Sequence, residues 1–116
     1  MQNVIVREGS NPVHANNYFD SKGNPSGGYA HSIGMCIAWQ DGPRGRLADG
    51  SLAPANGAFV EDAIVAARER LDFFQQSQYA HAANAEAIDH LNRALDALAK
   101  RTKERVARQV LGQNIV

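Results

Sequence analysis

Two arginines near the end of the chain, Arg101 and Arg105, have the type and spacing of a phosphate-binding pair. Residues at i and i+4 project from one face of a helix, and two guanidinium forks on one face suit a bound phosphate. Five of the nine residues from 100 to 108 are basic and one, Glu104, is acidic. The alternative is that these cations complement the dipole of a helix C-terminus and are solvated.

Three further residues are weaker candidates for contacts to an anionic ligand. Thr102 and Arg108 belong to the same cationic segment, and Arg44 lies in a turn rich in Gly and Pro. An arginine in such a turn is more often solvated than functional.

Phe74 and Asn84 are candidates for contacts to the rest of a nucleotide. Phe73 and Phe74 are adjacent and cannot face the same way on a helix, so one ring is expected at the surface, where a ring near cations stacks a base. The structural alternative is that Phe74 is a core residue. Asn84 is either the N-cap of a second helix or a hydrogen-bonding partner of a base or ribose.

A helical hairpin over residues 56–110 is predicted to position these side chains. Asn56 is predicted to cap its first helix, and a short turn within residues 77–85 makes the second helix antiparallel. Apolar residues recur at steps of four and three along each helix, the pattern of an amphipathic helix. They are Val60, Ile64, Ala67, Leu71 and Phe74 in the first helix and Ile88, Leu91, Leu95 and Leu98 in the second.

Helix length decides whether one chain can assemble the site. With a turn centred near residue 81, Phe74 lies level with about residue 89, and Arg105 lies roughly 24 Å further along the second helix. That distance is too long for one nucleotide. A shared pocket therefore requires two chains packed head to tail, which gives two equal pockets about a twofold axis.

The N-terminal part, residues 1–55, predicts short strands and long loops. Nine of the ten glycines and all four prolines lie in residues 1–57. We expect a strand at Val4–Val6, a loop over Pro12–Gly28 with at most one short strand, and a strand over Tyr29–Gln40 that buries Cys36 and packs Trp39 on the helices. The predicted fold class is α+β: a small antiparallel β portion with long loops packed on a two-helix hairpin, in one domain of residues 1–116.

Composition restricts the function classes. The formal net charge of 0 argues against nucleic acid as a partner, so the local cationic cluster favours a small anionic ligand. No apolar run approaches the length of a membrane span, and the first residues lack a signal peptide's pattern. The four histidines show no metal spacing, and neither a nucleophile motif nor a phosphate loop is present. We therefore expect no catalytic set, metal or cofactor.

Four blocks of the sequence resemble the phage anti-Thoeris proteins that sequester cyclic ADP-ribose signals. The blocks are IAWQDGPRGR at 37–46, NGAFVEDA at 56–63, RLDFFQ at 70–75 and AIDHLNRALDALAKRTKER at 87–105. The second helix is also similar to the anti-CBASS sponge that sequesters cyclic oligonucleotides. The first two blocks are more specific than the arginine helix, and residues 14–28 carry little of the resemblance.

This resemblance implies a non-catalytic sponge acting in the host bacterial cytoplasm. It implies a homodimer as the binding unit, assembly into a hexamer as a trimer of dimers, and a glyco-cyclic ADP-ribose held between subunits, with cyclic di- or trinucleotides at separate sites. The family's stacking aromatic falls on Phe74, its polar turn contact on Asn84 and its phosphate-binding pair on Arg101 and Arg105. Two alternatives stay open: an enzyme that degrades the messenger, and a structural helical oligomer without a small ligand.

Overall fold

A computed structural model describes residues 4–107 of the chain. Two compact units divide between Phe59 and Val60, an N-terminal sheet unit and a C-terminal helical unit. The order of elements, four strands followed by two helices, confirms the predicted α+β class. Each unit is described by itself below.

The sheet unit is an antiparallel meander of four strands in the order β1-β2-β3-β4. Its strands are β1 (Val4–Arg7), β2 (Val13–Phe19), β3 (Pro25–Ser32) and β4 (Met35–Trp39). The predicted first strand is confirmed. Each strand pairs with its neighbour in sequence, so short turns make every connection.

The long loop predicted over residues 12–28 is wrong, because this segment forms most of a hairpin. β2 and β3 pair with Ala15 opposite Ala30 and Asn16 opposite Tyr29. The Asn-rich and Gly-rich composition has low strand propensity, and pairing across the sheet overrides it. The rings of His14 and His31, for example, stack across the two strands with centroids 5.0 Å apart.

The single strand predicted over Tyr29–Gln40 is also wrong, since a turn divides it. Ser32 pairs with Met35, which leaves Ile33 and Gly34 as a two-residue hairpin loop. Gly34 has φ of 81°, a conformation that two-residue hairpin turns require and that glycine adopts without strain. Cys36, predicted to be buried, lies in β4 and is exposed.

Asn56 does not cap the first helix. Its side-chain oxygen accepts from the N–H of Asp41 at 2.7 Å, and its amide nitrogen donates to the Asp41 carbonyl at 3.2 Å. Gln40 in turn accepts from the backbone N–H of Asn56 at 2.9 Å. These bonds, with a parallel bridge between Trp39 and Ala58, attach the segment that precedes the first helix to the end of β4.

The helical unit consists of α1 (Val60–Gln75) and α2 (Ala82–Ala107). The hairpin therefore starts at Val60, four residues later than predicted. Ile64, Leu71 and Phe74 of α1 are half-buried, as the periodicity predicts, whereas Val60 and Ala67 are exposed. Arg68 takes part in the contact between helices, since its Nη1 donates to Asn92 Oδ1 at 3.0 Å.

The apolar side chains of both units are incompletely covered. Among residues 4–107 no hydrophobic residue is buried, and the apolar stripe of α2, formed by Ile88, Leu91, Leu95 and Leu98, is half-buried. Two helices alone present too little surface to enclose such a stripe. Further apolar surface is therefore available for association.

Gly28 allows the close approach of β3 to β2. Its φ is 133°, and a Cβ atom built there overlaps the carbonyl oxygen of Asn16. Gly23 also has a positive φ, 81°, but a Cβ atom there meets nothing within 4 Å.

We expect Gly23→Ala to lower the free energy of unfolding by about 1–2 kcal/mol through the backbone conformation alone. Gly28→Ala should cost clearly more, as measured by urea unfolding; equal losses in the two variants would contradict the overlap.

The turn between β2 and β3 should show a pH-dependent stability. The backbone N–H of Asn24, and then that of Lys22, donate to the Asp20 carboxylate and lower its pKa. A lowered folded-state pKa stabilises the fold above the unfolded value of about 3.9 and loses that effect as the pH falls through the folded value. The difference in melting temperature between wild type and Asp20→Ala should thus shrink in acid.

Asp20→Asn is the matched control, because its amide oxygen still accepts both bonds but does not titrate. The difference in melting temperature between wild type and Asp20→Asn should also shrink as the pH falls, because protonated Asp20 is uncharged like the amide. A difference between wild type and Asp20→Ala that stays constant from neutral pH to below the Asp20 pKa would contradict the assignment.

Candidate functional site

The arginine end of the hairpin extends beyond its partner helix. α2 has 26 residues and α1 has 16. The bonds from Arg68 to Asn92 and from Gln75 to Asn84 set the register of the two helices, in which Val60, the first residue of α1, lies level with Lys100. Arg101 therefore lies level with the start of α1, and Arg105 lies more than one helical turn beyond it.

The two arginines differ in exposure within this overhang. Arg101 is exposed and Arg105 is half-buried. They are one helical turn apart on α2, as the sequence predicts, so their guanidinium groups can converge on one phosphate. Thr102 is exposed and its hydroxyl donates to the Leu98 carbonyl at 3.3 Å, a bond within the helix. That bond gives Thr102 a local structural role.

The opposite end of the hairpin holds a hydrogen-bonded turn. Gln75 Oε1 accepts from the backbone N–H of His81 at 2.8 Å and from Asn84 Nδ2 at 3.0 Å. Asn84 Nδ2 donates in addition to the Tyr79 carbonyl at 3.2 Å. Because one contact is to a backbone donor and the other to a backbone carbonyl, both amides have a determined orientation. Asn84 therefore uses its amide donors in the turn.

One of the two predicted roles of Asn84, the N-cap of α2, is wrong. His81 caps the helix: its Nδ1 accepts from the N–H of Ala83 at 2.9 Å, and its carbonyl accepts from the N–H of Asn84 at 3.0 Å. Asn84 lies in the first turn of α2 and is half-buried. The position of a cap depends on where the turn ends, which the sequence pattern leaves uncertain by a few residues.

Phe73 and Phe74 occupy the last turn of α1 with their rings 5.9 Å apart and inclined at 60°. Phe73 is 53% exposed and Phe74 is half-buried, which confirms that one of the two rings reaches the surface. The Arg70 guanidinium lies 4.9 Å from each ring centroid. This end of the hairpin therefore combines aromatic, amide and cationic groups.

The structure brings two of the predicted site residues together and separates them from the other two. Phe74 and Asn84 lie at the same end of the hairpin, since Asn84 donates to Gln75, the neighbour of Phe74 in sequence. Along the continuous helix α2, Arg101 lies about 26 Å from Asn84. We name these two groups the aromatic half-site (Phe74 and Asn84, with Arg70, Phe73 and Gln75) and the arginine half-site (Arg101 and Arg105).

Arg44 lies outside both half-sites. Arg44 belongs to the sheet unit, where its Nε donates to the Ala53 carbonyl at 2.6 Å and stabilises the loop that follows β4. It is half-buried, contrary to the solvated position expected for it. Arg108 lies outside the described residues.

Sequence reasoning missed Arg70 and Gln75. The signal for Arg70 was its spacing, because phenylalanines at i+3 and i+4 place two rings beside a cation on one helix face. Gln75 had no local signal, since its partners lie six and nine residues further along, beyond the turn.

The described residues 4–107 contain no group of three His, Cys, Asp or Glu side chains placed to hold a metal ion. Over the same residues, neither helix combines the length and the apolar character that a membrane crossing requires. The sheet unit carries a cavity of about 280 Å³ beside His14 and His31 and another of about 470 Å³ beside Arg7 and Met35.

The turn network predicts opposite effects of the same substitution at two asparagines. Asn84→Asp places a carboxylate oxygen against Gln75 Oε1 and the Tyr79 carbonyl, and we expect a loss of about 1–3 kcal/mol in unfolding free energy at pH 7. The two oxygens also raise the pKa of the new carboxyl group, so the loss should shrink as acid protonates it.

Asn92→Asp is the matched control, because Asn92 accepts from Arg68 and a carboxylate accepts more strongly. This variant should be at least as stable as wild type in urea unfolding at pH 7. Equal destabilisation by the two variants would contradict the orientation assigned to Asn84.

No protein-family model matches the chain, and no curated protein matches it. The assignment of function therefore depends on the chemistry of the two half-sites, on their separation along α2, and on the resemblance of the sequence blocks described above.

Proposed function

We propose that the protein is a non-catalytic sponge that binds cyclic nucleotide signals, with glyco-cyclic ADP-ribose as the leading ligand, between two copies of the chain. It would hold the signal intact and keep it from the host's immune effector. The observation that carries the proposal is the separation of two complementary half-sites by about 26 Å on one continuous helix.

The ligand's parts correspond to the groups that the half-sites offer. A guanidinium pair at i and i+4 binds phosphate oxygens through charge-assisted hydrogen bonds. A phenyl ring stacks on a base, and the side-chain oxygen of Asn84 accepts from a base amino group or a ribose hydroxyl. Phenyl, amide and guanidinium groups do not exchange protons near neutral pH, which favours binding over catalysis.

A second copy of the chain can complete each half-site. Two hairpins packed head to tail place the arginine half-site of one chain at the aromatic half-site of the other, and the twofold axis generates two equal pockets. The overhang of α2 supports this arrangement because α2 continues beyond the start of α1 and carries Arg105 there. The incompletely covered apolar stripes supply surface for the association.

We also propose a higher assembly state, which only the resemblance supports. Dimers would combine into a hexamer, as a trimer of dimers, and cyclic di- or trinucleotides would occupy separate sites. Native mass spectrometry distinguishes the dimer from the hexamer.

The second candidate function is a structural helical oligomer without a small ligand. The exposed apolar side chains favour this function as much as they favour the sponge. In that case the cationic end of α2 is a solvated helix terminus. The two candidates differ in one observable, since an oligomer without a ligand gives no calorimetric signal with cyclic ADP-ribose isomers or cyclic di- and trinucleotides.

Removal of either arginine should weaken ligand binding without unfolding the chain. A charge-assisted hydrogen bond contributes about 1.5–3 kcal/mol, so Arg101→Ala and Arg105→Ala should each lower the affinity for a cyclic ADP-ribose isomer by about ten- to a hundredfold in calorimetry. Arg93→Ala is the matched control, because Arg93 lies on the same helix and pairs with Asp89. An affinity unchanged in both half-site variants would refute the proposal.

A mixing experiment tests whether each pocket uses two chains. Phe74→Ala and Arg101→Ala are each expected to bind weakly alone. In a mixed dimer, one pocket takes an intact ring from one chain and intact arginines from the other, so an equimolar exchanged mixture should recover about a quarter of the wild-type pockets. If one chain supplies the whole site, the mixture recovers none.

A further inference from the structure

We infer that Arg70 is a further ligand-binding residue of the aromatic half-site, where it contacts a phosphate carried close to the stacked base. This inference rests on the proposed function. The preferred ligand is then a nucleotide with anionic groups at both ends of the pocket. Arg101 and Arg105 of one chain bind these groups at one end, and Arg70 of the other chain binds them at the other end.

The geometry of Arg70 leaves its donors for a ligand. Its Cζ lies 4.9 Å from the centroids of both Phe73 and Phe74, whose planes are inclined at 60°. Contact with the rings uses none of the five N–H donors of a guanidinium group in a conventional hydrogen bond, so these donors can still bind an anion. Arg70 is also exposed, so those donors are accessible.

The neighbours of Arg70 on α1 explain why no acid neutralises it. The positions one turn before it, 66 and 67, are alanines, and those one turn after it, 73 and 74, are phenylalanines. Two rings therefore orient the cation without forming an ion pair with it. Other arginines of the hairpin are used differently: Arg68 donates to Asn92, and Arg93 pairs with Asp89 at 3.1 Å.

A cation oriented in advance loses little conformational entropy when it binds an anion. The aromatic half-site then recognises a base and a nearby phosphate as one unit, and it should distinguish a nucleotide from the corresponding nucleoside. Lysine cannot replace arginine here, because its ammonium group has neither the flat face nor the donor fork.

The test uses ADP and adenosine as probes of the full-length chain. The Nε–Hε resonance of Arg70, assigned by its loss in Arg70→Ala, is followed by NMR together with the ring protons of Phe73 and Phe74. We expect ADP to shift the Arg70 resonance and the ring protons, and adenosine to shift the ring protons alone. In Arg70→Ala, the affinity for ADP should fall about tenfold and that for adenosine should stay within about twofold.

Two further variants separate the phosphate contact from general effects. Arg93→Ala removes an equal charge elsewhere on the hairpin and should leave the affinity for ADP unchanged. Arg70→Lys keeps the charge and should still lose most of the preference for ADP over adenosine. Equal affinity of wild type and Arg70→Ala for ADP, or an equal loss in Arg93→Ala, would overturn the inference.

Failure of the proposed function and failure of this inference about Arg70 give different experimental results. A wild-type chain that binds no cyclic nucleotide refutes the sponge, whatever ADP does to Arg70. A chain that binds a cyclic ADP-ribose isomer, and binds it equally well as Arg70→Ala, retains the proposed function and loses this inference.

Discussion

The length of α2 is the constraint on which the proposed site depends. One unbroken helix of 26 residues carries Asn84 in its first turn and Arg101 and Arg105 in its last turns, while the 16 residues of α1 lie beside only part of it. A straight helix cannot bring its own ends together. The two half-sites are thereby held apart in one chain, and the proposed pocket needs a second chain to combine them.

The same hairpin leaves apolar surface that the proposed association would cover. An amphipathic stripe on each of two helices is only half covered when they pack on each other, and the described residues contain no buried hydrophobic side chain. Surface of this kind is stabilised by a partner chain. In the proposed complex, ligand binding and association would be coupled, because a ligand that contacts both chains stabilises their association by mass action.

Features that depend on local spacing could be predicted from the sequence. The four-three periodicity predicts the stripe of α2 and the common face of Arg101 and Arg105, and Phe73 reaches the surface as expected from the adjacent rings. Features that depend on distant partners could not. Pairing of Asn16 with Tyr29 makes strands from a segment with loop-like composition, and Asn56 bonds to Asp41 instead of capping a helix. Asn84 was recognised as a polar residue at the turn, but its role there follows from Gln75 and Tyr79.

The most direct test of the central claim is to identify what the protein releases after it has bound a ligand. The purified chain is mixed with cyclic ADP-ribose isomers and cyclic di- and trinucleotides, freed of unbound ligand, heated, and analysed by mass spectrometry. The account predicts release of an unaltered cyclic nucleotide, led by a cyclic ADP-ribose isomer. Release of a cleaved product would show an enzyme, and release of nothing would leave the hairpin a structural oligomer; either result contradicts sequestration.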